Sequence, residues 1–135
     1  MKLDRPLKFG KYVNKVKLPT QLQPTSGDCV VTGWGQLFEG GPKSLILKKV
    51  TLPVVDEKTC KAYMGADSIL DSMLCCGYKN GGKGECFGDG GGPLYCDGYQ
   101  AGIVSWSRGC AHPETPSVYT RVSHFVDWIN EMKDK

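Results

Sequence analysis

Seven cysteines in a chain of 135 residues constrain the fold before any periodicity is read. They stand at Cys29, Cys60, Cys75, Cys76, Cys86, Cys96 and Cys110, with no C-x-x-C among them. Neither His112 nor His124 stands beside a cysteine pair with zinc-finger spacing, so no metal site and no cofactor is expected. A cross-linked framework of three bridges with one thiol left over is expected instead, and such frameworks form in oxidising compartments. Spacing alone does not say which cysteines pair. The chain is long enough for one domain with its own core. Its 18 glycines and 8 prolines favour short strands joined by tight turns over long helices.

The N-terminus, Met1 to Pro6, lacks the apolar core of a signal peptide. An export signal on a segment upstream is therefore expected. No apolar run approaches the ~18 residues of a membrane span, and no N-x-[ST] acceptor is present. A net charge of +3 is too mild to imply nucleic acid. The basic residues do cluster, with Lys2, Arg5, Lys8, Lys11, Lys15 and Lys17 all in the first 17 positions. Such a run reads as a solvated surface segment or, more sharply, as a patch for an anionic polymer.

Pro6, Pro19 and Pro24 forbid a long helix in residues 1–27, which read as a connecting segment with one short strand at most. Residues 28–122 carry the barrel signal. Strands are expected over 29–34, 45–55, 73–78, 94–96, 99–106 and 117–122, from β-branched and apolar runs bounded by turn residues. Asp56 is placed to cap a short helix reaching Gly65. Residues 79–93 are a glycine-rich loop. In 123–135 the pattern changes: Phe125, Trp128, Ile129 and Met132 fall on one helical face, with Ser123 as the expected N-cap. Trp34 and Trp128 are expected in the core. Many short strands closed by one terminal helix predict an all-β fold, a small antiparallel barrel with a C-terminal helix.

Two glycine-rich stretches compete for attention. Gly77 to Gly84 nearly spells a phosphate-binding loop, but Gly84 stands where the hydroxyl that holds Mg²⁺ is needed. The second stretch, Cys86-Phe87-Gly88-Asp89-Gly90-Gly91-Gly92-Pro93, resembles the Gly-Asp-Ser-Gly-Gly-Pro loop of chymotrypsin-like serine proteases, with Gly90 at the serine position. The surroundings line up in order. Lys2-Leu3 with Pro6-Leu7 is similar to that family's inter-barrel connection, and Cys29 to Gly35 to its Cys-x-x-x-Gly-Trp-Gly strand. Ser105-Trp106-Ser107 resembles the strand that binds substrate backbone, Pro116 to Val122 the wall of the specificity pocket, and Trp128-Ile129 the terminal helix. The chain is thus similar to the C-terminal half of such a protease, that is, to its second barrel.

The resemblance implies the pairs Cys29–Cys96, Cys60–Cys75 and Cys86–Cys110. Cys76 is then left as a buried small apolar residue or as a link to another chain. The amides of Gly88 and Gly90 are implied as oxyanion-hole donors. Asp89 is implied as the carboxylate that pairs with the amine freed on zymogen cleavage. That amine lies upstream, so a buried, unpaired Asp89 and a mobile 84–93 loop are expected here. Gly84 falls where trypsin-like members carry the aspartate that attracts Lys or Arg, while Ser107 and Ser117 would line the pocket walls. An uncharged floor argues against that preference, unless Glu85 swings in and reverses the conclusion.

The reaction of that family needs a serine, a histidine base and an orienting aspartate. The resemblance implies that all three are missing: Gly90 stands at the serine, neither His112 nor His124 matches the histidine, and the family's aspartate falls a few residues before Met1. The expected function is a secreted serine-endopeptidase homologue that binds polypeptide substrates or protease inhibitors without cutting. The alternatives are a fragment or Ser-to-Gly variant of an active endopeptidase, and a stand-alone interaction module. The expected partner is the missing N-terminal barrel or a substitute chain over the face it leaves open.

Overall fold

The chain was analysed as a computed structural model, which describes residues 3–133. Six strands run in chain order: β1 (Asp28–Gly33), β2 (Lys48–Val55), β3 (Met73–Cys76), β4 (Pro93–Cys96), β5 (Tyr99–Trp106) and β6 (Ser117–Arg121). They close into a barrel in the order β1-β2-β3-β6-β5-β4, and every pairing is antiparallel. Closure of β4 onto β1 sets Cys29 opposite Cys96, and these two are bridged. The fold is therefore an all-β antiparallel barrel. Helices α1 (Glu57–Met64) and α2 (Val126–Lys133) lie outside it.

Alternation decides which side chains fill the barrel. In β1, Cys29 and Val31 point inward and are buried, while Val30 and Thr32 are only partly so. Leu52, Leu94 and Tyr119 are fully enclosed with them. Burying a leucine of this kind contributes about 1.5–3 kcal/mol. A second cluster, Cys60, Met64, Ile69, Cys75 and Val118, seats α1 against the barrel, and the Cys60–Cys75 bridge runs through it. Helix α1 starts where Asp56 accepts the Thr59 amide at 2.9 Å.

Several boundaries differ from the sequence reading. Strand β2 begins at Lys48 rather than Leu45. Ser44 holds Ile46 at both its amide and its carbonyl, so Leu45, Ile46 and Leu47 turn outward, 98 %, 64 % and 53 % exposed. Side-chain bonding of this local kind competes with a strand ladder. Strand β3 stops at Cys76, and Val122 belongs to a 3₁₀ turn after β6. No strand forms in residues 3–27; Lys2 lies outside the described residues. That segment is pinned to the barrel from Lys17 onward, where its carbonyl takes the Gln100 amide at 2.9 Å.

Ser123 is not the cap of α2. Its hydroxyl is buried with no partner among the described residues, and Gln21 serves the helix start instead. The Gln21 side chain accepts the Asp127 amide at 3.0 Å and donates to the His124 carbonyl at 3.1 Å. Trp34 and Trp128 are 57 % and 58 % exposed, not core residues. The apolar face of α2 is as the periodicity predicts, but it borders an open groove of about 350 Å³ lined by Ile103, Thr120, Val122, Phe125, Trp128 and Ile129.

Gln21→Ala removes both bonds at the start of α2. It should lower stability by about 0.5–2 kcal/mol, the range of lost helix caps. Urea unfolding measures this, and an unchanged midpoint would show that the helix start does not depend on Gln21.

Candidate functional site

The 84–93 loop is organised around one carboxylate. Asp89 accepts the Gly35 amide at 2.7 Å and the Cys86 amide at 3.1 Å. It is half-buried and partnered, where the sequence reading expected it buried and unpaired. The fit requires glycines around it. A Cβ on Gly33 would sit 1.9 Å from Asp89 Oδ1, and one on Gly35 would sit 2.5 Å from Asp89 Cγ. Gly88 has a φ of +104°, and a Cβ there would come within 3.2 Å of the Gly35 Cα, so a side chain is both strained and crowded.

The rest of the turn is spent on the barrel. The Asp89 amide donates to the Cys86 carbonyl, Gly92 to Asp89, and Gly91 to Val104 of β5. The Cys86–Cys110 bridge ties the loop to the turn after β5. Among the described residues, the Gly88 and Gly90 amides donate to nothing. Two uncommitted N–H groups two residues apart are what an oxyanion or a carbonyl oxygen needs. Gly90 itself has no positive φ, and a Cβ built on it meets nothing within 4 Å.

Both amides border a cleft of about 300 Å³, walled on one side by Ser105, Trp106 and Ser107. The wall is aimed by a β-bulge. In the β5–β6 ladder Val104 faces Tyr119 and Trp106 faces Val118, so Ser105 has no opposite number. A bulge bends its strand and redirects the side chains that follow. The Ser107 hydroxyl turns back onto the Gly109 carbonyl at 2.8 Å. Arg108 reaches the Met64 carbonyl at 2.7 Å, anchoring the same wall to the end of α1.

The structure divides the remaining sequence-predicted residues. Gly84, Glu85 and Asp89 line a second cavity of about 320 Å³, and of these only Glu85 also borders the cleft. Ser117 is buried and lines neither. Glu85 is 5 % exposed. Its Oε2 accepts the Tyr119 hydroxyl at 2.7 Å, while Oε1 is buried with no partner among the described residues. An unmet buried acceptor costs about 1–3 kcal/mol, more when charged. Burial, then the Glu85 carboxylate, pushes the Tyr119 phenol far up. The same two causes push up the Cys76 thiol, which is fully buried, unbridged and held protonated.

Sequence reasoning missed three participants. Phe87 is 57 % exposed at the edge of the cleft. Tyr119 fixes Glu85. Glu39 crosses from the 36–43 loop to accept the Cys110 amide at 3.1 Å and to pair with His112 at 2.6 Å. The partners of Tyr119 and Glu39 lie 34 or more positions away, and no local pattern marks such a pair.

A family model described as Trypsin matches residues 1–129. The chain belongs to the trypsin family. It is 48 % identical over 133 residues to trypsin-1 of Astacus astacus, covering 96 % of this chain and 56 % of that one. It is 42 % identical over 132 residues to a trypsin of Squalus acanthias, at 97 % and 57 % coverage. It is 43 % identical over 132 residues to a vitellin-degrading protease of Bombyx mori, at 96 % and 50 %. The chain spans about half the length of these curated relatives. The trypsin-family barrel here thus presents a formed loop and cleft.

The Glu39 tether carries a pH dependence. The Cys110 amide, then His112, holds the Glu39 carboxyl below its ordinary 4.5. A depressed carboxylate contributes stability that is present above its unfolded value and is lost as pH falls through the folded one. The Cys110 amide resonance should therefore titrate with a midpoint below 4.5. Two-dimensional NMR reads it directly, and a midpoint at or above that value would mean the carboxylate is not held there.

Proposed function

We propose that this chain is the substrate-binding half of a secreted serine-endopeptidase homologue, one that holds polypeptides or protein inhibitors of such enzymes without cleaving them. The observation that carries this reading is Gly90. It lies at the nucleophile position, beside two uncommitted amides and a walled cleft, and it brings no hydroxyl. Acyl transfer also needs a base within hydrogen-bond reach of the nucleophile. His112 is engaged by Glu39, and His124 borders a different depression with Lys61 and Ile69. Neither lines the cleft. Three disulfides support an extracellular setting.

The open groove beside α2 supports a partner. Its lining is apolar apart from Thr120, and Trp128 is 58 % exposed at its rim. We assign this face to an N-terminal barrel of a longer parent; the chain spans only 56 % and 57 % of two of its relatives. The cavity beside Asp89 is the place that such a parent's freed amine would enter.

One observation favours a second reading, a Ser-to-Gly variant of an active endopeptidase. Gly90 has an ordinary φ and open space at its missing Cβ, so the site around it would accept a serine unchanged.

The test pairs binding with turnover. The chain should bind peptides, read by fluorescence anisotropy, and release no cleavage product. Gly90→Ser should leave stability within about 0.5 kcal/mol, as surface changes do, and should still give no turnover, because no histidine reaches the cleft. Inhibitor-sensitive cleavage by the wild-type chain would overturn the binding reading. Cleavage gained only by Gly90→Ser, in this chain or in one extended by an N-terminal barrel, would put the second reading in its place.

A further inference from the structure

Gly88 borders the cleft and also meets the 36–43 loop. A Cβ built on Gly88 would come within 3.1 Å of Lys43 Cε and 3.6 Å of Lys43 Cδ. The aliphatic stem of Lys43 therefore runs along Gly88, in space that a side chain there would fill. The root of that stem is fixed. Lys43 bridges to Gln36 across the loop, and next to it the Pro42 carbonyl accepts the Leu37 amide at 3.1 Å. The Lys43 ammonium forms no ion pair among the described residues. The carboxylates of this region are engaged elsewhere. Asp89 is held by the Gly35 and Cys86 amides, and Glu39 by the Cys110 amide and His112. Glu85 is buried against the Tyr119 hydroxyl.

Three donors thus stand together: the uncommitted amides of Gly88 and Gly90, and an ammonium bonded to a carbon that touches Gly88. Backbone N–H groups so arranged make anion-binding concavities, and such concavities capture the C-terminal carboxylate of a polypeptide. A neutral carbonyl oxygen can use the two amides and gains little from the ammonium. An ionised group uses all three, and hydrogen bonds to it are about twice as strong as neutral ones. The wall says which carboxylate fits. Ser105, at the bulge near the end of β5, has no opposite number in the ladder, so that strand end is open to the backbone of a ligand. A chain laid along it brings its main-chain carboxyl group to the amides, rather than the tip of a side chain.

We infer that Lys43 is a specificity-determining residue of this cleft, and that with the Gly88 and Gly90 amides it selects a polypeptide ending there in a free C-terminal carboxylate over the interior of a longer chain. The inference rests on the reading of the cleft as a polypeptide-binding site.

The probes are a short peptide with a free C-terminal carboxylate, the same peptide as its C-terminal amide, and an amide whose last residue is replaced by aspartate, so that the charge sits on a side chain. Binding to the wild-type chain is measured by fluorescence anisotropy at low salt. The free acid should bind about tenfold or more tighter than either amide, the scale that separates hydrogen bonds to charged and to neutral groups. Added salt should narrow the gap, because Lys43 is exposed. Lys43→Gln removes the charge. It should reduce the preference for the acid by about two- to fivefold, the range of an exposed ion pair, and leave binding of the plain amide unchanged. Lys43→Arg keeps the charge and should keep most of the preference. Neither replacement removes buried packing, since the side chain is exposed.

Equal binding of the acid and the plain amide by the wild type would overturn the inference while leaving the polypeptide-binding reading intact. So would an acid preference that Lys43→Gln leaves unchanged, because the two amides alone would then account for it. Loss of the preference in Lys43→Arg as well as Lys43→Gln would trace it to the lysine stem rather than the charge, and overturns it too. An aspartate amide that binds as tightly as the free acid would overturn the assignment to a chain end and give the carboxylate to a side chain. Failure of all three peptides to bind would remove the polypeptide-binding reading and this inference with it.

Discussion

The carboxylate of Asp89 holds the site together. It gathers an amide from the strand-end turn at Gly35 and another from the loop's own base at Cys86. Each hydrogen bond to a charged group contributes about 1.5–3 kcal/mol. Each glycine that the loop needs costs about 0.5–1 kcal/mol in chain entropy. The pair of bonds is therefore large enough to offset the disorder that Gly88, Gly90, Gly91 and Gly92 would otherwise bring. What remains is the useful part: with Asp89 turned inward, the Gly88 and Gly90 amides are left unspent at the edge of a cleft.

The opposite wall is fixed by unrelated means. The bulge at Ser105 redirects the end of β5, and the Cys86–Cys110 bridge prevents loop and wall from separating. Arg108 and Glu39 then tie the same wall to α1 and to the 36–43 loop. These contacts come from segments far apart in the chain, and each crosses the outside of the barrel. The closed sheet behind them supplies stiffness, and β5 lends Val104, Ser105 and Trp106 to the cleft.

Much of this was legible from the sequence, and the failures share a cause. Strand β5 and helix α1 with its Asp56 cap follow from local pattern and turn chemistry, which act over a few residues. Family membership came from motifs standing in order. The disulfide pairing came with the resemblance, since spacing leaves it open. Leu45 to Leu47, Trp34 and Trp128 were misplaced because apolar character does not say what covers a residue. Here the α2 face has no cover among the described residues. Ser123 failed as a cap because Gln21, more than a hundred positions away, reaches the helix start first. Glu85 stayed undecided for the same reason: its partner Tyr119 lies 34 positions on.

Gly90 shows how separable bond-making is from the rest of such a site. A Cβ built at that position touches no neighbour within 4 Å. The other features are not free in this sense. Gly33 and Gly35 give up side chains so that Asp89 can sit against them. Glu85 keeps a charge in the barrel wall with one oxygen unmet. An apolar residue of similar size would remove that cost, as replacements of buried ionic groups often do. Features that cost stability persist where they serve a site. In this chain those features all border the 84–93 loop and its cleft.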